Sequence, residues 1–410
     1  MSLFHYLLSN GFKIIVAHVN HKKRTQSDQE YIFLEDYCKK NNVPFRGHIL
    51  GSISGNFQEA ARKERYNFFM EVARKFNTKY IITAHQADDL VETILMRINR
   101  GTSLRGYRGI QYTSFIDEYK IIRPMLYTSR DEIKEYQKAF NVPYFEDSSN
   151  SENHYSRNKI RHNVIPTLKE INPNIYSSFI NYSEDLSLMY EYINKKALEF
   201  INNSSLVKKN EISYMVDDLY SLDEIVKRQV ILKSVNIISN DSLELTHERL
   251  KEIANTKYID ESKEIELSSD ISVSFEYKKI VFYKKENKEK VNLVINDFGE
   301  YEVKDYGKII VSQKYHLLPN KNSYMLCYNN MDLPLYIKVR NIEFGDKITI
   351  NGITKKVYDI LKDEKVPKRK RESIICMLNK DDEIIFIPGL KRKETDKSKE
   401  NVLYITYLED

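Results

Sequence analysis

The stretch TAHQADDLVETILMRINRG, Thr83 to Gly101, concentrates the side chains best suited to chemistry. His85 stands at the C-terminal end of an expected strand, Tyr80–Ala84, and Asp88, Asp89 and Glu92 open the helix that follows. Asp88 and Glu92 are four residues apart and share a helix face. Three carboxylates at one helix entrance could hold Mg²⁺ at a nucleotide, or a cationic substrate. The local alternative is capping, with Asp89 as the cap and Glu92 completing a capping box. Capping explains Asp89 and Glu92 and leaves Asp88 and His85 without a reason. Val91, Ile94, Leu95 and Ile98 are the expected buried stripe of this helix.

Further polar groups converge on the same edge. AHVNHKKR carries His18 near the end of a strand and His21 just after it. Two histidines without a third ligand at useful spacing do not make a zinc site. Between Asp147 and Pro166, DSSN and HYSRNKIRHNVIP bring Asn150, Arg157, Asn158, Lys159 and Arg161. A surface helix would account for the bases; the interspersed asparagines favour a polar recognition loop. From Lys355 to Arg371 there are eight Lys or Arg against three acids, a local net of 8 − 3 = +5. Such a run is either a solvated loop or a contact to a phosphate backbone.

These groups need elements to hold them. Strands are expected near Lys13–Val19, Phe45–Leu50, Tyr80–Ala84, Ile121–Arg123 and Tyr144–Glu146, with helices between most of them. Ser27-Asp28-Gln29-Glu30 and Asn56-Phe57-Gln58-Glu59 read as helix starts. The alternation predicts an α/β fold, a doubly wound, mostly parallel sheet of Rossmann type. Ligands of such sheets bind beyond the C-terminal strand ends. From Asn174 the pattern turns helical, over Asn174–Asn202, Leu222–Ile238 and Leu245–Asn255, with short strands in Ile265–Lys285. Beyond a Lys-rich linker strands dominate: Lys308–Ser312, Leu335–Val339, Lys347–Ile350, Ile384–Ile387 and Val402–Tyr407. Three domains follow: 1–167, a mainly helical 168–290, and a small α+β domain 291–410.

Composition excludes several classes. The 410 residues are 41% hydrophobic and 30% charged, with a net charge of +5, as in ordinary soluble proteins. No apolar run is long enough for a membrane span. Cys38, Cys327 and Cys376 are scattered singly, which excludes a disulfide framework or a C-x-x-C motif and fits a reducing cytosol. The abundance of Lys, Asn, Ile and Tyr reads as codon bias.

AHVNHKKR, ARKERY (Ala61–Tyr66), AHQADDLVET, RINRGTSLRGYRGI (Arg97–Ile110), RPMLYTSRDEI (Arg123–Ile133), FEDSSN (Phe145–Asn150) and YSRNKIRHNVIP together resemble the tRNA(Ile)-lysidine synthases, within the pyrophosphatase-loop ATPases. IKVRNIEFGDKI and KKVYDILKDEKVPKRKR resemble that family's C-terminal domain. The resemblance implies an adenine nucleotide α-hydrolase type of sheet and a two-step reaction in the cytoplasm. ATP adenylates the carbonyl oxygen at carbon 2 of the wobble cytidine in a tRNA(Ile) with a CAU anticodon. Free L-lysine then displaces AMP, and the product reads an isoleucine codon instead of a methionine codon.

The resemblance also assigns residues. It implies Asp89 and Glu92 for lysine, Asp88 and His18 for ATP, Asp88 for Mg²⁺, and His85, Asp88 and Arg105 for catalysis. For tRNA it implies Arg62, Arg65, Asn150, Arg157, Asn158 and Arg161, and the basic run Lys368, Arg369, Lys370 and Arg371. A homodimer is compatible with it. The family begins with a strand and an S-G-G-x-D-S phosphate loop, and the helix that follows that loop resembles Met1–Leu8. The expectation is thus a sheet lacking its first strand and its phosphate loop. Two other outcomes follow from this reading: a tRNA-binding remnant without catalysis, or a related tRNA thiolase, against which the scattered cysteines count.

Overall fold

The computed structural model describes residues 1–22, 26–51, 57–145, 156–208, 210–240, 242–243, 245–256, 263–286, 288–313, 322–328, 335–394 and 401–409. They form two compact units, Met1–Tyr192 and Ile193–Asp410.

In the first unit the expected alternation is present. Its elements are α1 (Ser2–Ser9), β1 (Val16–Asn20), α2 (Gln26–Lys40), β2 (Phe45–Ile49), α3 (Phe57–Lys75), β3 (Tyr80–Ile82), α4 (Ala87–Arg100), α5 (Leu104–Tyr107), β4 (Thr113–Ile116), β5 (Tyr119–Ile122) and α6 (Arg130–Ala139). After them come α7 (Ser156–Lys159), a π-helical turn at Ile160–Val164, α8 (Ile165–Ile171) and α9 (Ile175–Ser204), which runs on into the second unit.

β1 and β2 pair in parallel, as do β3 and β5, with β4 antiparallel on the far side of β5. The parallel sheet, expected to lack its first strand, is in two pieces among the described residues, β1-β2 and β3-β5-β4. One helix roofs both: α3 sets Ala61, Phe68 and Phe69 against Val19, and Tyr66, Phe69 and Ala73 against Ile81 and Ile121. Val16, on the opposite face of β1 from Val19 by strand periodicity, packs with Phe4, Leu34 and Cys38 of α1 and α2. Helices cover both faces, so the unit is doubly wound.

Local details correct three expectations. Tyr144 and Phe145 form no strand, and Glu146 lies outside the described residues. The β4–β5 hairpin, unforeseen, turns at Asp117 with φ 50°, a left-handed conformation that Asp tolerates. Ser27 lies inside α2, not at its cap. α3 begins at Phe57 as expected, and Asn56 lies outside the described residues.

The second unit holds two sets of cores. Helices α11 (Glu224–Ser239) and α12 (His247–Asn255) follow α10 (Val216–Tyr220) and pack on an antiparallel sheet. That sheet is β6 (Leu206–Lys208), β7 (Glu211–Met215), β10 (Lys279–Lys284), β9 (Ile271–Glu276) and β8 (Lys263–Glu266), in that order.

Two sheets form the remainder. One runs β11 (Asn292–Ile295), β15 (Ile337–Asn341), β18 (Ile375–Leu378), β19 (Ile384–Ile387), β20 (Lys391–Arg392). The other runs β12 (Gly299–Val303), β13 (Gly307–Ser312), β21 (Asn401–Leu408), β14 (Ser323–Tyr328). Ile337, Met377, Ile309 and Ile405 from both sheets share one core. A hairpin, β16 (Lys347–Ile350) with β17 (Ile353–Lys356), leads to α13 (Val357–Asp363) and the single turn α14 (Lys368–Arg371). Among the described residues no helix is long and apolar enough to cross a membrane.

Candidate functional site

α4 is the beam on which the site is built. Leu90 and Ile94 are fully buried against Leu126 and Phe179, and Val91 is buried beside them. Ile98, expected in the stripe, is half exposed. Gly109 lies against this face with φ 73°; a Cβ there would come within 2.7 Å of Leu90 and Ile94, so only glycine fits. Arg97 fastens the loop by donating to the carbonyls of Gly106 at 2.6 Å and Gly109 at 3.0 Å.

The helix entrance differs from the capping expectation. Gln86 is the cap, and Asp89, at the third helical position, accepts from the Gln86 backbone N–H at 3.0 Å. Glu92 takes no part in capping. Its side chain is 0% exposed and both of its oxygens are used. Arg157 Nε donates to Oε2 at 2.6 Å, Arg161 Nε to Oε1 at 2.5 Å, and a terminal nitrogen of Arg161 to Oε2 at 3.1 Å. Asp89 joins the cluster through Arg157, at 2.8 Å from Oδ1. Burial lowers the Arg161 guanidinium, but Glu92, Asp89 and Asp88 outweigh it and hold the group above its ordinary value.

The expected polar loop within 147–166 is therefore, in its described part, helical from Ser156 onward, and it faces two arginines onto the acids of α4. Asn150 lies outside the described residues; Asn158 lies on α7.

Asp88 is separate from that cluster in its bonding. Oδ2 accepts the backbone N–H of Arg130, the first residue of α6, at 3.0 Å. Oδ1 accepts the Tyr176 hydroxyl of α9 at 2.8 Å. An acid at a helix N-terminus is also favoured by the helix dipole. Asp88 thus ties α6 and α9 to α4, and burial together with Asp88 raises the Tyr176 hydroxyl above its ordinary value. These partners lie 42 and 88 residues downstream and carry no local signal in the sequence. Each Asp88 oxygen accepts one hydrogen bond from a protein donor and keeps a lone pair with which it could hold the expected Mg²⁺. Among the described residues no group of three or more His, Cys, Asp or Glu could hold a metal.

Beyond the C-terminal ends of β3 and β5 lies a cationic field. Register places Thr83 beside Arg123, and Thr83 N–H donates to the Ile122 carbonyl. Thr83 Oγ1 is 2.9 Å from His85 Nδ1, which leaves Nε2 for a ligand. Burial first, then Arg123, Arg62, Arg157 and Arg65, push the His85 imidazole down to about 4. Arg123, to which the sequence assigned no role, is 5% exposed. It donates to the Gln111 carbonyl at 2.8 Å and Ser114 Oγ at 3.0 Å, and its Nε has no partner. Its position after a strand and before Pro124 was the available signal.

Arg62 and Arg105 are exposed, Arg65 is half-buried, and Arg105 lies on α5. Burial and then the charges of Arg62, Arg108 and Arg105 lower Arg97. His18 is half-buried on β1, lowered by burial. Such a field suits a phosphate-bearing ligand.

His85 is accordingly neutral at physiological pH. Its folded value lies below its unfolded value of 6.5, so it binds fewer protons when folded, and its contribution to stability falls as pH drops from 6.5 toward 4. In NMR titration the His85 ring resonances are expected to stay flat from pH 8 to about 5 and to move near 4. A midpoint at 6.5 would mean that the arginines do not surround it.

In the second unit the basic run divides. Lys368 and Lys370 are exposed. Arg371 donates to the Val366 carbonyl at 3.0 Å. The Arg369 side chain is 13% exposed and paired with Glu276 at 2.5 Å and Glu211 at 2.9 Å, with its guanidinium 4.6 Å from the Tyr283 ring centroid. Cys38, Cys327 and Cys376 are all buried, and burial pushes the Cys38 thiol up to about 11 and Cys376 up to about 12, which does not favour the thiolase reading.

Residues 1–168 match the PP-loop domain, an ATP-binding family, which implies ATP binding. The "tRNA(Ile)-lysidine synthase" of Bacillus anthracis is 30% identical over 100% of this chain and 90% of its own length. The "Bifunctional protein TilS/HprT" of Listeria monocytogenes serovar 1/2a is 27% identical over 97% of this chain, and the chain spans 64% of that relative's length. A solved "TILS C-terminal domain" is 19% identical, with a TM-score of 0.24, over 29% of this chain and 98% of its own. By the near-complete match to the Bacillus relative, this chain belongs to the tRNA(Ile)-lysidine synthase family.

Proposed function

We infer that the protein is a cytoplasmic ligase that joins free L-lysine to carbon 2 of the wobble cytidine in a tRNA(Ile) with a CAU anticodon, at the expense of ATP. One observation carries the reading: on α4, the helix that follows β3 and His85, a fully buried Glu92 with Asp89 beside it holds the cationic side chains of Arg157 and Arg161. Lysine brings two ammonium groups, and a site that recognises them needs desolvated carboxylates.

The chemistry divides between the two clusters. In the first step the cytidine O2 attacks the α-phosphorus of ATP and diphosphate leaves. Negative charge grows on the phosphoryl oxygens, and Arg65, Arg123 and Arg105, with the neutral His85, supply donors and positive field for it. In the second step the lysine side-chain amine, its ammonium proton given up to water, attacks carbon 2, and the C–O bond to AMP breaks. Asp89 and Glu92 bind and orient the amino acid for that attack. No step is assigned to Mg²⁺.

Arg62, Asn158 and, outside the described residues, Asn150 are proposed to contact the anticodon arm. Lys368, Lys370 and Arg371 are proposed to contact RNA phosphates. We keep the division at residues 167 and 290 as a proposal; the second unit holds separate cores within 197–282 and 295–407.

The test is transfer of labelled lysine to a CAU-anticodon tRNA transcript. Incorporation is expected to require ATP and to vanish when the wobble cytidine is replaced by guanosine. Incorporation that ignored the wobble base would contradict the reading.

A further inference from the structure

The geometry points to Arg157 and Arg161 as resting occupants of the acid pair, positioning residues that leave it when free lysine enters and then become available to RNA phosphates. The inference rests on the reading of Asp89 and Glu92 as the lysine site. Its ground is the saturation of that site. Glu92 is enclosed by three N–H donors from two guanidinium groups, and Asp89 Oδ1 receives a fourth. Two carboxylates and two guanidinium groups already balance in charge. A lysine, with two ammonium groups and one carboxylate, would add net positive charge to a buried place whose acids are already balanced by the two guanidinium groups. It binds there by exchange, not by addition.

The two arginines are built to leave. The Arg157 side chain is 43% exposed, so its guanidinium has open water beside it, while that of Arg161 is 19% exposed. Both lie on a segment that is not one regular helix. Arg157 is on the single turn α7 and Arg161 is in the π-helical turn Ile160–Val164, directly before Pro166 in α8. A π turn is a rare winding, frequently found at functional sites. A guanidinium is weakly hydrated, always charged, and matches a phosphate as well as it matches a carboxylate. Released by lysine, the two groups gain a second kind of partner.

Exchange makes lysine and RNA binding reciprocal: each strengthens the other by the same factor. Omitting ATP separates this from chemistry. Filter binding of a CAU-anticodon transcript to the full chain is expected to tighten on the order of tenfold at saturating lysine. The Arg157→Ala/Arg161→Ala variant should show no such gain. That variant leaves Glu92 buried without a cation, so millimolar L-lysine or guanidinium chloride, against equal NaCl, should raise its melting temperature by a few degrees, and by more than the parent's, where lysine must first displace the two arginines. If the double variant fails to fold, Arg157→Ala alone, at the more exposed position, serves for both measurements. Rescue by guanidinium but not by lysine would overturn the lysine reading on which the inference rests. Rescue by lysine with no lysine effect on RNA affinity in the parent would overturn the exchange alone.

Discussion

Glu92→Gln is expected to lower the melting temperature of the first unit by roughly 6–20 °C. Breaking a buried ion pair by removing one partner costs about 3–5 kcal/mol. In a unit of this size each kcal/mol shifts the midpoint by about 2–4 °C. Glutamine keeps the shape of the side chain, so the loss is one of charge: two guanidinium groups would face a neutral amide. The same change removes the deeper of the two carboxylates from the proposed lysine site, so lysine use should fail together with stability. Asp89→Asn is expected to be milder in melting, because Asp89 is half-buried and holds one close guanidinium. Circular dichroism melts of both variants decide this. Equal and small shifts would mean that the arginines do not depend on the acids.

Arg369→Ala should destabilise the second unit by about 3–5 kcal/mol, since it strands Glu276 and Glu211, both largely buried. Arg369→Lys should recover only part of this, because an ammonium cannot span two carboxylates as a planar fork does. RNA binding is expected to separate cleanly from this effect. Lys368→Ala with Lys370→Ala should leave folding intact and reduce the slope of log affinity against log salt by about one for each RNA phosphate no longer neutralised. Arg369 is one of four bases expected to meet RNA, and its commitment to two acids restricts the proposal to its neighbours. If Lys368→Ala/Lys370→Ala left the salt slope unchanged, the run would be a solvated turn.

The difference between Arg369 and Lys368 was not visible in KRKR, and the reason is physical. A string of bases states what each residue is, not which of them faces a carboxylate more than 90 residues away. Glu92 teaches the same lesson. At three residues from Asp89 it looks like a capping acid, and local propensity favours that use. What removes it from the helix end is a pair of arginines 65 and 69 residues downstream. Local rules served better where local interactions dominate. Strands β16 and β19 have the expected bounds, and α9 and α12 lie within two residues of theirs. The Ser129–Glu132 box that starts α6 is of the same local kind, although the sequence reading did not single it out: Glu132 accepts from the Ser129 N–H at 2.7 Å. The gathering of His85, Asp88, Asp89 and Glu92 at one strand end was legible because strand and helix are adjacent in the chain. Tyr176, Arg130 and Arg123, which complete the surroundings, come from elements that only tertiary packing brings together.

The central claim is that Asp89 and Glu92 recognise free lysine as a cation. Its most direct measurement is the lysine dependence of labelled-lysine transfer to the CAU-anticodon transcript, at saturating ATP, for the parent and for Asp89→Asn. Loss of one carboxylate from the pair should raise the half-saturating lysine concentration by roughly two orders of magnitude, in line with about 3 kcal/mol for a broken buried charge pair, while the ATP requirement stays as it was. An unchanged half-saturating lysine concentration, with the ATP dependence altered in its place, would contradict it.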